Sequence, residues 1–222
     1  MNRTDFTVAR TPGAILETNK VLKNTYMLLS MTLLFSAVMA VASIFLAVPS
    51  GISFASLIVG ILMGIFVLPR TANSSTGIWV VFGITGLLGF SLGPMLSTYL
   101  SLPKGPEIVG TALGGTGIIF LGLSGYVLTT RKDFSFMGGF LMVGLMVAAL
   151  AMLANLFLEI PALSLAISGA IILVMSGLIL FETSRIIHGG ETNYIMATYG
   201  LYLSIFQIFI HLLAILGIMG DD

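Results

Sequence analysis

The sequence predicts an all-α membrane protein with seven transmembrane helices, and two observations carry this prediction. Hydrophobic residues make up 57% of the 222 residues and charged residues only 8%, with a mean hydropathy of +1.11. The exterior of a soluble domain of this length must stay mostly polar, which so apolar a chain cannot achieve. In addition, seven apolar segments follow one another with short breaks, each near the roughly 20 residues that a spanning helix requires.

The order of elements begins with a polar stretch, residues 1–25, which is predicted to form a cytoplasmic tail with a helix from Ala14. A transmembrane domain, residues 26–219, follows, and its apolar segments are 26–48, 52–69, 78–100, 108–130, 136–158, 162–187 and 195–219. The first segment is longer than the hydrophobic part of a typical signal peptide, so we expect it to span the membrane. The second segment is the shortest, and a re-entrant hairpin formed with the first is the main alternative.

The distribution of basic residues supports the count of seven and gives the orientation. With seven spans and a cytoplasmic N-terminus, the cytoplasmic side holds every basic residue but Lys104: Arg3, Arg10, Lys20, Lys23, Arg70, Arg131, Lys132 and Arg185. Such an excess is the usual mark of the cytoplasmic side of a membrane protein. A six-helix count would move Arg131 and Lys132 to the opposite side from the tail. The predicted topology is therefore N-in and C-out.

Small residues recur at the spacing of helix-packing motifs. Three pairs fit G-x-x-x-G, namely Gly60/Gly64, Gly89/Gly93 and Gly110/Gly114, and the fifth segment has a stripe of Gly144, Ala148, Ala151 and Asn155. Such residues let transmembrane helices approach closely. They predict a packed bundle and say nothing about function.

Glu182 is the acidic residue that lies inside a long apolar run, about five residues before the cytoplasmic end of segment six. At 1.5 Å per residue this is roughly 8 Å below that end. A charge at mid-bilayer costs on the order of 2.5–3.5 kcal/mol on insertion scales, so intramembrane acids face the protein interior and usually have a function. We therefore take Glu182 as the leading candidate for an ion or proton site.

The neighbours of Glu182 follow from helical periodicity. Ser164 and Ser168 share its face of segment six, and segment seven has a polar stripe of Gly200, Ser204, Gln207 and His211. Packing the two helices together is expected to place Ser204 and Gln207 near the carboxylate, with Arg70 and Arg185 approaching from the cytoplasmic side. The site would then bind a cation or exchange it for a proton. The alternative is that Glu182 only forms an ion pair with Arg185, three residues further along.

A second polar site is expected toward the outer side, where His211 and Asn155 lie at similar depth. His211 is a candidate for a proton relay, although a lone histidine in a bundle more often forms a hydrogen bond between helices. Glu159 and Glu191 fall in loops and are expected to be solvated.

Several classes of protein and site are excluded. The chain has no cysteine, which excludes disulfides and thiolate sites, and its net charge of zero argues against a nucleic-acid partner. Ser124 and His211 imitate the pair of a serine hydrolase, but their depths differ by roughly 15 Å, whereas such a pair needs about 3 Å. Segment seven lacks the lysine of a retinal protein. We expect no enzymatic activity, no cofactor and no tightly bound metal.

Four stretches of the sequence resemble the Bax inhibitor-1 family, in its bacterial YccA-like branch. They are Leu180–Tyr194 (LFETSRIIHGGETNY), Leu201–Phe209 (LYLSIFQIF), Lys20–Leu29 (KVLKNTYMLL) and Tyr126–Phe136 (YVLTTRKDFSF). The resemblance covers essentially residues 15–219. It implies six helices around a central seventh and a location in the bacterial inner membrane.

The resemblance also implies two functions. Some members are proton-sensitive calcium leaks that are gated by two facing aspartates; Glu182 matches the first position, Ser204 occupies the second, and Arg70 resembles the arginine that latches the pair. Loss of the second acid removes the shared-proton pair. YccA-like proteins are instead associated with the membrane-bound ATP-dependent protease FtsH, as substrate and modulator. The basic N-terminal tail would suit engagement by such a cytoplasmic machine.

Overall fold

The computed structural model describes residues 12–219, and every regular element in that range is a helix. Seven helical stretches are long and apolar enough to cross a membrane: Leu16–Phe45, Ser50–Thr71, Thr76–Leu100, Gly105–Thr130, Ser135–Leu158, Pro161–His188 and Tyr194–Ile218. The prediction of an all-α fold with seven spans is confirmed. The second segment, for which a hairpin was the alternative, forms a helical span of 22 residues.

Two of the spans are interrupted helices. After α1 (Pro12–Phe45), the second span consists of α2 (Ser50–Leu62), a π-helical turn (Met63–Val67) and α3 (Leu68–Thr71). The third consists of α4 (Thr76–Ser91) and α5 (Gly93–Leu100), which part just before Pro94, a residue without a backbone N–H. The other spans are α6 (Gly105–Thr130), α7 (Gly138–Leu158, preceded by a 3-10 turn at Ser135–Met137), α8 (Pro161–His188) and α9 (Tyr194–Met219).

The first helix begins well before the apolar segment that starts at residue 26, and within two residues of Ala14, where a helix was predicted to start. Proline suits the first turn of a helix, since its fixed φ is helical and its missing N–H would have no partner there, and α1 starts at Pro12. Lys20 and Lys23 therefore lie on the same helix as the first span. Residues 1–11 of the predicted tail lie outside the described range, so a cytoplasmic tail stays a prediction.

The last helix is the most enclosed of the spans, with half of its apolar window buried. It packs against α8, α6, α1 and α4, and it contributes the fully buried side chains Leu201, Tyr202 and Ile208. By contrast, α7 packs mainly against α8, and only 11% of its window is buried. A central α9 with six helices around it, and the N-in orientation, stay predictions.

Not all of the G-x-x-x-G pairs lie against another helix. A Cβ atom on Gly89 would lie 2.8 Å from the backbone carbonyl carbon of Ser36, and Gly93 faces the backbone of Ser43, so this pair allows α1 to approach α4 and α5. In the same way Gly60 faces Leu88. Gly110 and Gly114, however, have no atom within 4 Å of a Cβ position. The prediction of close packing is therefore wrong for this third pair within the described chain.

The loops that carry most of the basic residues lie at one end of the bundle, which we call the basic end. The Asn193 side chain donates hydrogen bonds to the Ala72 carbonyl (3.0 Å) and to Asn73 (2.8 Å), which joins the loop after α8 to the loop after α3. The amide of Phe134 donates to Ser184 Oγ at 2.9 Å, which ties the loop after α6 to the end of α8. Lys104 lies in the loop before α6, at the other end of the bundle.

Candidate functional site

Glu182 lies on the face of α8 that packs against α9. Its carboxylate occupies the space that Gly200 leaves open, since a Cβ atom on Gly200 would lie 2.7 Å from the Glu182 carboxyl carbon. The Oε2 atom of Glu182 is buried and has no hydrogen-bond partner among the described residues. Burying a polar group without a hydrogen bond costs free energy, and burying an unpaired charge costs more. This carboxyl group is therefore an unusual feature that packing alone does not explain.

A cavity of about 180 Å³ lies beside this carboxyl group, at the end of the bundle that holds the basic loops. Its charged lining residues are Glu182, Arg185 and Glu191, and the rest of the wall is Met196, Ala197, Tyr199, Gly200 and Leu203 of α9. The volume is large enough for several water molecules. The cavity therefore leaves room beside the Glu182 carboxyl group for water molecules or a small cation.

Arg185 does not form an ion pair with Glu182. Its Nη2 lies 3.3 Å from Glu191 Oε2, in the one salt bridge within the part of the chain that the structure describes. The same nitrogen donates to the Gly190 carbonyl at 3.1 Å, and the guanidinium carbon lies 5.6 Å from the centre of the Phe181 ring. The alternative that Glu182 merely pairs with Arg185 is therefore not what the structure shows.

The structure does not bring Ser204 and Gln207 into the cavity with Glu182. The Ser204 hydroxyl donates to the Gly200 carbonyl of its own helix at 3.2 Å and is buried. Gln207 lies one turn further along α9, half-buried, and no hydrogen bond within the described chain joins either residue to Glu182. They continue the polar stripe of α9 away from the cavity.

Arg70 also lies away from the candidate site. It is exposed at the end of the second span, and its Nη1 donates to the Phe66 carbonyl of the same span at 2.7 Å. An arginine latch on Glu182, which the resemblance suggested, is therefore not formed in this structure.

The second predicted polar site has its residues together. His211 Nδ1 lies 3.1 Å from Ser168 Oγ, and Asn155 Nδ2 donates to Ser164 Oγ at 2.6 Å, so both members connect to α8. Both residues line a cavity of about 430 Å³ whose wall also includes Glu159. Because Ser164 and Glu182 lie near opposite ends of α8, the two cavities open toward opposite ends of the bundle.

Ser124, the residue that imitates a hydrolase nucleophile, belongs to a different contact. Its hydroxyl forms a hydrogen bond with the Tyr26 hydroxyl, which also lies 3.5 Å from Thr183 Oγ1. His211 bonds to Ser168 instead. The cluster joins α1, α6 and α8 near the Glu182 end and contains no base for a nucleophile.

Two residues at the site were not predicted from the sequence. Glu191 was expected to be solvated, but it accepts from Arg185 and from the Asn193 amide at 2.9 Å, and its side chain is 22% exposed. Asn193 Oδ1 accepts from the amides of Ile195 (2.9 Å) and Met196 (3.1 Å), which is the geometry of an N-cap. An asparagine directly before an apolar run is a recognisable start signal.

The described residues contain no group of three or more His, Asp or Glu side chains able to hold a metal ion. The fold and the two cavities thus define a multi-pass membrane protein with separated polar sites at its two ends. The family model described as "Inhibitor of apoptosis-promoting Bax1" matches residues 18–221. This match covers nearly the whole chain, and the protein belongs to that family.

Similar proteins are known in several bacteria. A protein of Escherichia coli K12 named "Modulator of FtsH protease YccA" is 54% identical over 209 residues, which are 94% of each chain. A protein of Escherichia coli O6:H1 named "Inner membrane protein YccA" has the same identity and coverage. An uncharacterized membrane protein of Vibrio cholerae is 48% identical over the full length of both chains.

Proposed function

We propose that this protein is a non-enzymatic modulator, and itself a substrate, of an FtsH-type ATP-dependent protease in the bacterial inner membrane. The observation that carries this proposal is the 54% identity, over 94% of both chains, to the protein named as a modulator of FtsH. The likeness therefore extends over nearly the whole length of both proteins. The resemblance of the N-terminal and loop motifs supports the same branch of the family.

The arrangement of the spans along the sequence indicates which part of the protein such a protease would bind. The loops among the described residues at the basic end are short, and the stretch that precedes Leu16 is the longest segment of the sequence outside the seven candidate spans. Arg3 and Arg10 belong to that stretch. We therefore place the engagement site in residues 1–11, ahead of the start of α1.

The test is a deletion of residues 2–11, which keeps Pro12 and the start of α1. We expect the deletion to change the half-life of the protein in cells that contain the protease and to leave it unchanged in cells that lack it. Glu182→Gln is the matched control, because it keeps the shape of the side chain and leaves the N-terminus intact. A half-life that is the same for the deletion and the full chain would contradict the proposed engagement site.

Glu182 favours a second candidate function, a leak for protons or calcium ions. A carboxyl group whose buried Oε2 atom has no hydrogen-bond partner among the described residues, and which lines a cavity, is suited to binding a cation or a proton. Calcium normally takes six to eight oxygen ligands, whereas the cavity offers the carboxylates of Glu182 and Glu191, and Arg185 already occupies the second of these. A proton site or a weak leak is therefore the form that we propose.

The leak is tested with purified protein in liposomes, by measuring Ca²⁺ and proton flux over a range of pH values. If Glu182 is the ion site, Glu182→Gln abolishes the pH dependence, while Glu107→Gln, an exposed acid at the other end, keeps it. Absence of flux at every pH would exclude this candidate function and leave the protease proposal untouched.

A further inference from the structure

An apolar groove opens between α1 and α6 on the side of the bundle that faces lipid. Near the basic end these helices meet, because Tyr26 bonds to Ser124 and its ring centre lies 6.1 Å from that of Phe120. From there toward the other end they separate, and α9 and α5 form the floor between them. The groove has a volume of about 450 Å³, roughly three times that of a cavity of about 150 Å³ that binds benzene.

The walls and the floor of the groove differ in exposure. The floor is buried and includes Phe206, Phe209 and Leu96, each 8% exposed. The rims are exposed, with Val41 of α1 at 50% and Leu113 of α6 at 57%. The groove is therefore open sideways to the surrounding hydrocarbon and reaches the packed centre of the protein.

The polar side chains that line the groove already have partners. Tyr202 donates to the Thr85 carbonyl at 3.2 Å and its hydroxyl lies 2.7 Å from Ser36 Oγ. Thr116 donates to the Ala112 carbonyl at 2.7 Å. None of these groups requires a hydrogen bond from a ligand, so the groove is suited to an apolar chain and gives water no reason to fill it.

A cation lies in the loop that joins two helices of the groove. Lys104 is exposed directly before α6, four residues after Leu100 of α5 and five before Val109 of α6, and both of these residues line the groove. Glu107 is exposed at the same end, but no salt bridge joins it to Lys104 among the described residues. A phosphate group at the membrane surface would complement the ammonium group of Lys104.

We propose that this groove is a binding site for one acyl chain of an anionic phospholipid, whose phosphate lies at Lys104. Filling the groove with a chain recovers the dispersion contacts that an empty groove would lose. The lipid would then be a bound component that supports α1, α6 and α9, different from the lipids that exchange freely around the bundle.

The test is native mass spectrometry of the full chain, with phosphatidylglycerol added in increasing amounts. We expect one lipid to stay bound to the wild-type protein. Gly117→Leu adds a side chain at a position that lines the groove, and its Cβ atom meets no atom within 4 Å. Loss of about ten close carbon contacts corresponds to about a tenfold loss of retained lipid.

Gly122→Leu is the matched control, because Gly122 lies on the same helix with equally free space and does not line the groove. It should retain the lipid, and Lys104→Gln should retain less. A second variant, Ala37→Phe, blocks the groove from α1 in case Gly117→Leu fails to fold. Equal retention by wild type and both groove variants, equal loss in Gly122→Leu, or no effect of Lys104→Gln would overturn the proposal.

Discussion

Substituting Gly89 with alanine should destabilise the protein, because the backbone of α1 leaves no room for a Cβ atom at this position. That atom would lie 2.8 Å from the carbonyl carbon of Ser36 and closer still to its oxygen. A backbone atom cannot rotate away as the end of a side chain can. Gly114 is the comparison, since it belongs to the same kind of motif and has nothing within 4 Å.

The magnitude follows from comparing the two variants. In both helices alanine is favoured over glycine by about 1 kcal/mol, so this gain cancels in the comparison. The remaining difference is the cost of overpacking, about 1–3 kcal/mol. At roughly 2–4 °C per kcal/mol for a chain of this size, Gly89→Ala should melt about 2–12 °C below Gly114→Ala.

The assay is thermal unfolding of both variants in the same detergent. Trp79 is the one tryptophan of the chain, lies on α4 with Gly89, and is 77% exposed, so its fluorescence reports on this helix. Equal melting temperatures for the two variants would refute the close approach of α1 and α4. A lower melting temperature for Gly114→Ala than for Gly89→Ala would show that Gly110 and Gly114 do contact another helix.

Three further predictions concern the basic end of the bundle. Asn193→Ala removes the N-cap of α9 and the hydrogen bonds that the Asn193 amide nitrogen donates to Ala72 and Asn73, and the cap alone should cost about 0.5–2 kcal/mol of unfolding free energy. Asn193→Ser keeps a neutral cap oxygen and should cost less in the same denaturation assay. Gly200→Leu should lower the melting temperature, because its side chain would occupy the space of the Glu182 carboxyl group. Adding Glu182→Ala frees that space and should restore the melting temperature. Hydrogen bonds from Ser135 hold the pKa of Asp133 below its usual value. The bonds between the Asp133 carboxylate and Ser135 therefore stabilise the fold at pH values above the usual pKa of aspartate, and this stabilisation is lost as the pH falls through the lowered pKa. The melting temperature of Asp133→Asn should therefore depend less on pH in acid.

The spans were predictable from the sequence because hydropathy and length act within each segment, independently of the neighbours. The similar depth of Asn155 and His211 was also predictable, since the rise per residue sets how far along its span each residue lies. Their bonds to Ser164 and Ser168 of α8 were not predicted. The early start of α1 was predicted within two residues, at Ala14 against the observed Pro12. Its first turns carry no apolar period, so the exact first residue was harder to predict than the span itself.

The partner of Arg185 could not be predicted in the same way. Helical spacing places Glu182 within reach of Arg185, but the loop after α8 turns back and places Glu191 closer. That turn depends on Gly189, with φ of 75°, and on the bonds that Asn193 makes to a loop more than one hundred residues earlier. Spacing along one helix contains no information about such long-range contacts.

The same limit applies to the glycine pairs. Gly89/Gly93 and Gly110/Gly114 have one pattern in the sequence, yet only the first pair faces another helix. The G-x-x-x-G pattern indicates only that another helix can approach closely. The arrangement of all seven spans decides at which pair this occurs.

The most direct test of the central proposal uses the purified FtsH-type protease and this protein, reconstituted together in membranes with ATP. The measurement is the degradation rate of a membrane substrate of the protease, with and without an equimolar amount of this protein. A modulator that is also a substrate predicts that the rate changes when the protein is present and that the protein itself is degraded. An unchanged rate, with this protein left intact, would contradict the account.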